Sequence, residues 1–224
     1  MKTSQQYQAG FSGLQMVIVV AILGFTFVMA LKGRDLVHAM RGLATINKLR
    51  DFQLELRTYE AQYRAPPGDD PAAPRRWGRE NSIYIVGGVG VSMAGDQRIS
   101  GLLSDYGNAT GEQFDAWRDL RFSGLLDGDT ALVGQSAMPE NLFGGHFGFA
   151  EDNFGLKNVI CTTQIPGDVA QKIDERLDDG TINAGAVRAT SRWDPIDAKN
   201  HFDAPDEAPY DPLKTYIICV PQRV

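Results

Sequence analysis

Histidine and cysteine, the residues that most metal centres and many nucleophilic sites need, are scarce: three and two in 224 residues. His38, His146 and His201 lie far apart, with no H-E-x-x-H or paired His/Cys spacing, and they read as surface or helix-face histidines. No metal ligands are assigned. A G-x-S-x-G elbow is also missing, and two cysteines with distant histidines make no nucleophile. The glycine run 87–95, GGVGVSMAG, lacks the P-loop lysine and the third glycine of a dinucleotide fingerprint, so it reads as a loop. Nothing points to catalysis or to a cofactor. Basic residues are in deficit as well: the formal net charge is −6, so no global field draws nucleic acid.

Two further absences are local, and they shape the N-terminal third. Between residues 11 and 31, FSGLQMVIVVAILGFTFVMAL, there is no charge in 21 residues. At about 1.5 Å per helical residue such a run just crosses a hydrocarbon core of about 30 Å. A cleavable secretory signal would have a shorter apolar core and a small-residue cleavage site, whereas Lys32-Gly33-Arg34 follows here. Proline is absent until Pro66. Leu36, Met40, Leu43, Ile46, Leu49, Leu56, Tyr59 and Tyr63 mostly recur at steps of three and four, an amphipathic helical pattern. One helix from about residue 14 to 64 is expected, roughly 75 Å long. Its first half is apolar throughout, and its second packs on a globular head.

The junction Gly10-Phe11, followed by Ser12-Gly13-Leu14-Gln15-Met16-Val17-Ile18-Val19-Val20-Ala21-Ile22-Leu23-Gly24, resembles the class III signal of type IV pilins and type II secretion pseudopilins. The resemblance implies cleavage between Gly10 and Phe11 by a prepilin peptidase, with methylation of the new N-terminal Phe11. It implies a leader over 1–10, a helix over 11–64 with 11–31 transmembrane, and a periplasmic head over 65–224. Implied partners are other pilin or pseudopilin subunits, the prepilin peptidase, an inner-membrane assembly platform and membrane lipid; none is a nucleic acid. A positive-inside count alone would orient the chain the other way, with Lys32, Arg34 and Arg41 on one side and Lys2 on the other. Two positions depart from the family. Its fifth mature residue is normally glutamate, thought to meet a neighbour's N-terminal amine, and here it is the neutral Gln15; the tip subunit of secretion pseudopili also lacks that glutamate. Lys32 stands where a membrane-helix proline is common.

Three head segments are similar to a pilin-like subgroup: YRAPPGDDPAAPRRWG (63–78), EQFDAWRDLRFSGLLDG (112–128) and PGDVAQKIDERLDDGTINAGAVRAT (166–190). Read from their residues, the first ends the long helix with prolines and a Gly-Asp turn. The second offers Thr110 with Gln113 as a capping box ahead of the stripe Phe114, Trp117, Leu120. The third offers Asp168 with Gln171 ahead of Val169, Ile173 and Leu177, with Gly180 as a stop. Strands are expected at 83–86, 131–133, 158–162 and 215–220, and a long acidic, proline-rich loop at 191–213. The fold class is α+β and pilin-like: a long N-terminal helix packed on a small antiparallel sheet with short helices.

Cys161 and Cys219 are compatible with one disulfide or with two buried thiols. The periplasmic location that the resemblance implies favours the bond. Asp69-Asp70, Asp127-Gly128-Asp129, Asp178-Asp179 and the acids of 203–211 are oxygen ligands of the kind calcium takes, but none has EF-hand spacing and turn chemistry explains them equally. Asn108-Ala109-Thr110 is a glycosylation triplet by pattern alone.

Overall fold

The computed structural model describes residues 12–78, 84–86, 89–91, 95–101, 111–154, 156–191 and 205–222. The leader 1–10, the cleavage residues Gly10 and Phe11, His201 and the triplet 108–110 lie outside the described residues. The chain divides into two compact units, 1–40 and 41–224.

The first element, α1, spans Gly13–Tyr63. Its spacing of apolar residues and the absence of proline permit this length. Within unit 41–224, Ile46, Leu49, Phe52, Leu56 and Tyr59 form its buried stripe, at steps of three or four. The expected stripe differs at two places. Leu36, Met40 and Leu43 are exposed, and Phe52, which the expectation omitted, is wholly buried.

The head is α+β. A four-stranded antiparallel sheet has the order β3-β4-β6-β5, with β3 at Phe147–Asn153, β4 at Leu156–Pro166, β5 at Arg188–Thr190 and β6 at Thr215–Pro221. A separate hairpin pairs β1 (Tyr84–Val86) with β2 (Val89–Val91), so part of the glycine run is strand. Among the described residues the head also holds the short α-helices α2 (Ala73–Arg76), α3 (Glu112–Phe122) and α4 (Gly167–Leu177) and a 3-10 turn at Gly134–Ala137.

One sheet face joins α1 and α3 in the main core. Phe52 meets Trp117 edge-on at 4.8 Å and Phe147 at 5.1 Å, while Trp117 stacks on Phe149 at 4.0 Å. Such aromatic pairs add about 0.5–1.5 kcal/mol each beyond their area burial. Because strand side chains alternate, the other face forms a second, smaller core of Ala150, Phe154, Val159, Cys161, Ile217 and Cys219. The expected disulfide is there: Cys161 and Cys219 sit opposite one another in the β4–β6 register, their Cα atoms 4.0 Å apart, and are bonded.

Several expectations fail for physical reasons. Residues 131–133 form no strand but an exposed loop, too short and too solvated to pair. The Asp168–Gln171 capping box does not form, and Thr110 of the other box lies outside the described residues. α3 starts after Gly111 with no side-chain cap, and α4 starts at Gly167, which places Asp168 inside the first turn, 3.9 Å from Lys172. There Asp168 still complements the helix dipole. Among the described residues no helix is long and apolar enough to cross a membrane, so the expected transmembrane half does not follow from the fold.

Candidate assembly surface

The apolar half of α1 has an unusual distribution of side chains. Leu14, Met16, Val17, Ile18, Val19 and Val20 are all exposed, as are Ile22, Leu23, Phe25, Phe27, Val28 and Met29, at between 47% and 72%. Consecutive residues point in every direction around a helix, so no side of this one is polar. A helix apolar all round is stable only when something apolar surrounds it. Nothing among the described residues lies within 4 Å of a Cβ built at Gly13 or Gly24, so no non-local packing among them calls for glycine there.

Gln15 sits at the start of this surface and is engaged. The amide N–H of Ser12 donates to its side-chain Oε1 at 3.0 Å, and its own N–H donates to Ser12 Oγ at 3.4 Å. This is a reciprocal capping box, S-x-x-Q, which satisfies two of the amides that every helix N-terminus leaves unpaired. The S-x-x-Q pattern carries this cap in the sequence, while the family resemblance sets Gln15 against a neighbouring subunit's amine and not against Ser12. A glutamate would make the same cap, so the neutral residue changes charge without changing this geometry.

Asp69 and Asp70 are structural ties. Asp69 accepts from the amides of Gly95, Gln97 and Arg98, at 2.7, 2.7 and 3.3 Å. Asp70, fully buried, accepts from Tyr59 Oη at 3.0 Å, the Ala72 amide at 2.9 Å and Arg76 Nη1 at 2.6 Å. Asp119 accepts from the Gly68 amide at 2.8 Å. Gly68 has φ +84°, and a Cβ there would stand 2.3 Å from the Glu112 carbonyl oxygen, so only glycine fits. The run YRAPPGDDP thus anchors the turn after α1, with Arg76 stacked over Tyr63 at 4.2 Å and Trp77 stacked on Phe122.

Asp174, Asp178 and Asp179 bring carboxylate oxygens within 4.8 Å of one another. Each is hydrogen-bonded: Asp174 to Tyr210 Oη and the Gly180 amide, Asp178 to the Ala186 and Val187 amides, Asp179 to the Thr181 amide. Burial pushes the Asp174 carboxyl up to about 6. These bonds hold the 178–187 loop against α4. His146 lies in the bridge Glu140–His146, and His38 is half-buried on α1.

Glu55 and Glu112 are also perturbed by their surroundings. The Glu55 carboxyl rises to about 7, mainly through burial; Lys48 opposes the rise and Asp51 and Asp127 add to it. Its Oε2 is buried with no hydrogen-bond partner among the described residues. Glu112 also rises to about 7 through burial, partly offset by the Ser100 amide that donates to it.

No family model, no curated protein and no solved structure matches this chain.

Proposed function

We propose that the chain is a structural subunit of a type IV pilus or pilus-like filament. The observation that carries this reading is the first half of α1, apolar and exposed on every side. In the proposal, lipid surrounds residues 11–31 before assembly and equivalent helices surround them afterwards. The 21-residue charge-free run is long enough for the first environment, and Gly13 and Gly24 suit close helix approach in the second. The precursor is a single-pass inner-membrane protein with residues 65–224 in the periplasm. The prepilin peptidase removes 1–10 and methylates Phe11, and an assembly platform receives the mature chain. A disulfide between Cys161 and Cys219 suits an oxidising compartment.

A second reading, a minor pseudopilin of a type II secretion system, is favoured by Gln15. A neutral side chain enters lipid at lower cost than a carboxylate but offers an incoming amine no opposite charge. Purified filaments made overwhelmingly of this chain would exclude it. A signal-anchored periplasmic binding module is the remaining alternative. Intact-mass measurement of the membrane-extracted protein separates it from both: a filament subunit starts at Phe11 with an added methyl group, and substituting Gly10 by a bulky residue leaves the precursor uncut. A mass that retains Met1 refutes the filament reading.

A further inference from the structure

The two flanks of α1's head half carry opposite chemistry. Either side of the buried stripe Leu49, Phe52, Leu56, Tyr59, helical geometry places Arg50, Leu54 and Arg57 on one flank and Asp51 and Glu55 on the other. On the first flank, α1, α4 and β6 enclose a groove of about 440 Å³. Arg50, Arg57 and Arg176 line it, with Val187 and Val220, and Leu54 is 65% exposed within it. Asp178 adjoins this groove, but its carboxylate is taken up by the Ala186 and Val187 amides.

On the second flank lies the loop 127–133. It follows α3, whose Trp117 stacks on Phe149 of β3, and the order β3-β4-β6-β5 sets that strand at the sheet edge away from the groove-lining β6 and from β5. Asp127 and Asp129 are exposed, and so are Leu132 and Val133, at 36% and 50%. Arg121 packs behind the loop against Gly128, and Asp129 Oδ1 accepts from the Ala131 amide at 2.8 Å, which leaves Asp127 as the acid with no such tie within the loop. The loop therefore pairs acids with aliphatic side chains, and the groove pairs guanidinium groups with an aliphatic floor. In a chain of net charge −6, which repels its own copies, such a basic groove is where an acidic segment is attracted.

We propose that the occupant of the groove is the 127–133 loop of a second copy of this chain. Because loop and groove lie on opposite flanks, the contact is heterologous: each copy offers a loop to one neighbour and a groove to the next. Contacts of that kind that do not close into a ring build open helical arrays. The contact deepens the filament reading and rests on it.

Site-directed cross-linking tests this. Full-length Leu54→Cys and Leu132→Cys variants carrying different tags are co-expressed, oxidised in the membrane and in sheared filaments, and run unreduced. The expected product joins the two tags, and the double variant gives a ladder. Arg50→Glu should lower the yield at least tenfold, and adding Asp127→Arg should restore it. Val133→Cys repeats the test from a second position. The contact is overturned if Leu213→Cys, at a residue 94% exposed, cross-links to Leu54→Cys equally well. It is also overturned if both variants reach sheared filaments without the mixed product, an outcome that leaves the filament reading standing. Loss of both cross-link and filaments refutes the two together.

Discussion

Glu55→Gln should stabilise the head above neutral pH and leave it nearly unchanged below pH 5. The carboxyl's rise from 4.5 to about 7 in the folded chain means that the native state holds a proton the unfolded state has already lost. Between these values the native state binds more protons than the unfolded one, so stability falls as pH rises through that window, and the loss is complete above about 7. Realised in full, the rise corresponds to about 3 kcal/mol; partial contact with water reduces this to about 1–2 kcal/mol. Glutamine removes the ionisation while keeping the shape, and its amide brings no charge beside Asp51 and Asp127. The expected gain is therefore about 1–2 kcal/mol at pH 8, shrinking to within about 0.5 kcal/mol at pH 5. Urea unfolding of the full-length chain in detergent, followed by tryptophan fluorescence at both pH values, measures it. Trp117 sits against Phe52 in the same core and reports its opening. A variant equally stabilised at both pH values, or destabilised at pH 8, would refute the reasoning.

Three other predictions concern the features that hold the chain together. Replacing Cys161 and Cys219 by alanine should cost about 4 kcal/mol in the chain-entropy model, because the bond spans 58 residues, and the unreduced, denatured parent should take up no alkylating reagent. Asp70→Ala should cost about 3 kcal/mol in urea unfolding, since it strands the Tyr59 hydroxyl and Arg76 guanidinium; cost near zero would show the network to be solvated. Gln15→Ala should weaken the first turn of α1 by about 1 kcal/mol, seen as roughly fivefold faster amide exchange there, while Gln15→Glu keeps the cap. If this chain is a tip subunit, Gln15→Glu also leaves assembly unchanged; as a weakened core contact it would instead raise filament yield.

Long-period signals were the readable ones. The absence of charge and proline defined α1 to within a residue or so at each end, and β6, rich in Ile, Val and Tyr, was plain from composition. The β4 expectation found the strand's middle but not its length, which a bulge between Thr162 and Ile165 allows to continue to Pro166. β3 was missed because FGFAEDN mixes a glycine and charges into a strand that lies between two cores, and β5 because three residues show no period. The exposed apolar surface of α1 was visible as a run of apolar letters; the groove was not, since it gathers residues from distant parts of the chain. The acids of the YRAPPGDDP run looked like metal ligands because an oxygen that caps backbone amides and one that binds calcium are the same atom type, and only the partners distinguish them.

The position of the disulfide bears on mechanics. Gln53 on α1 donates a hydrogen bond to the Pro221 carbonyl at the end of β6, at 2.7 Å. A pull transmitted along α1 therefore reaches the sheet through the interlocked Phe52 and through the tip of β6. An antiparallel strand loaded at its end peels, breaking its ladder one rung at a time, which needs far less force than shearing all rungs together. β6 is covalently fastened to β4 only two residues back from Pro221, at Cys219. Peeling from that end stops at the first sulfur, and any further load must be borne by both central strands at once.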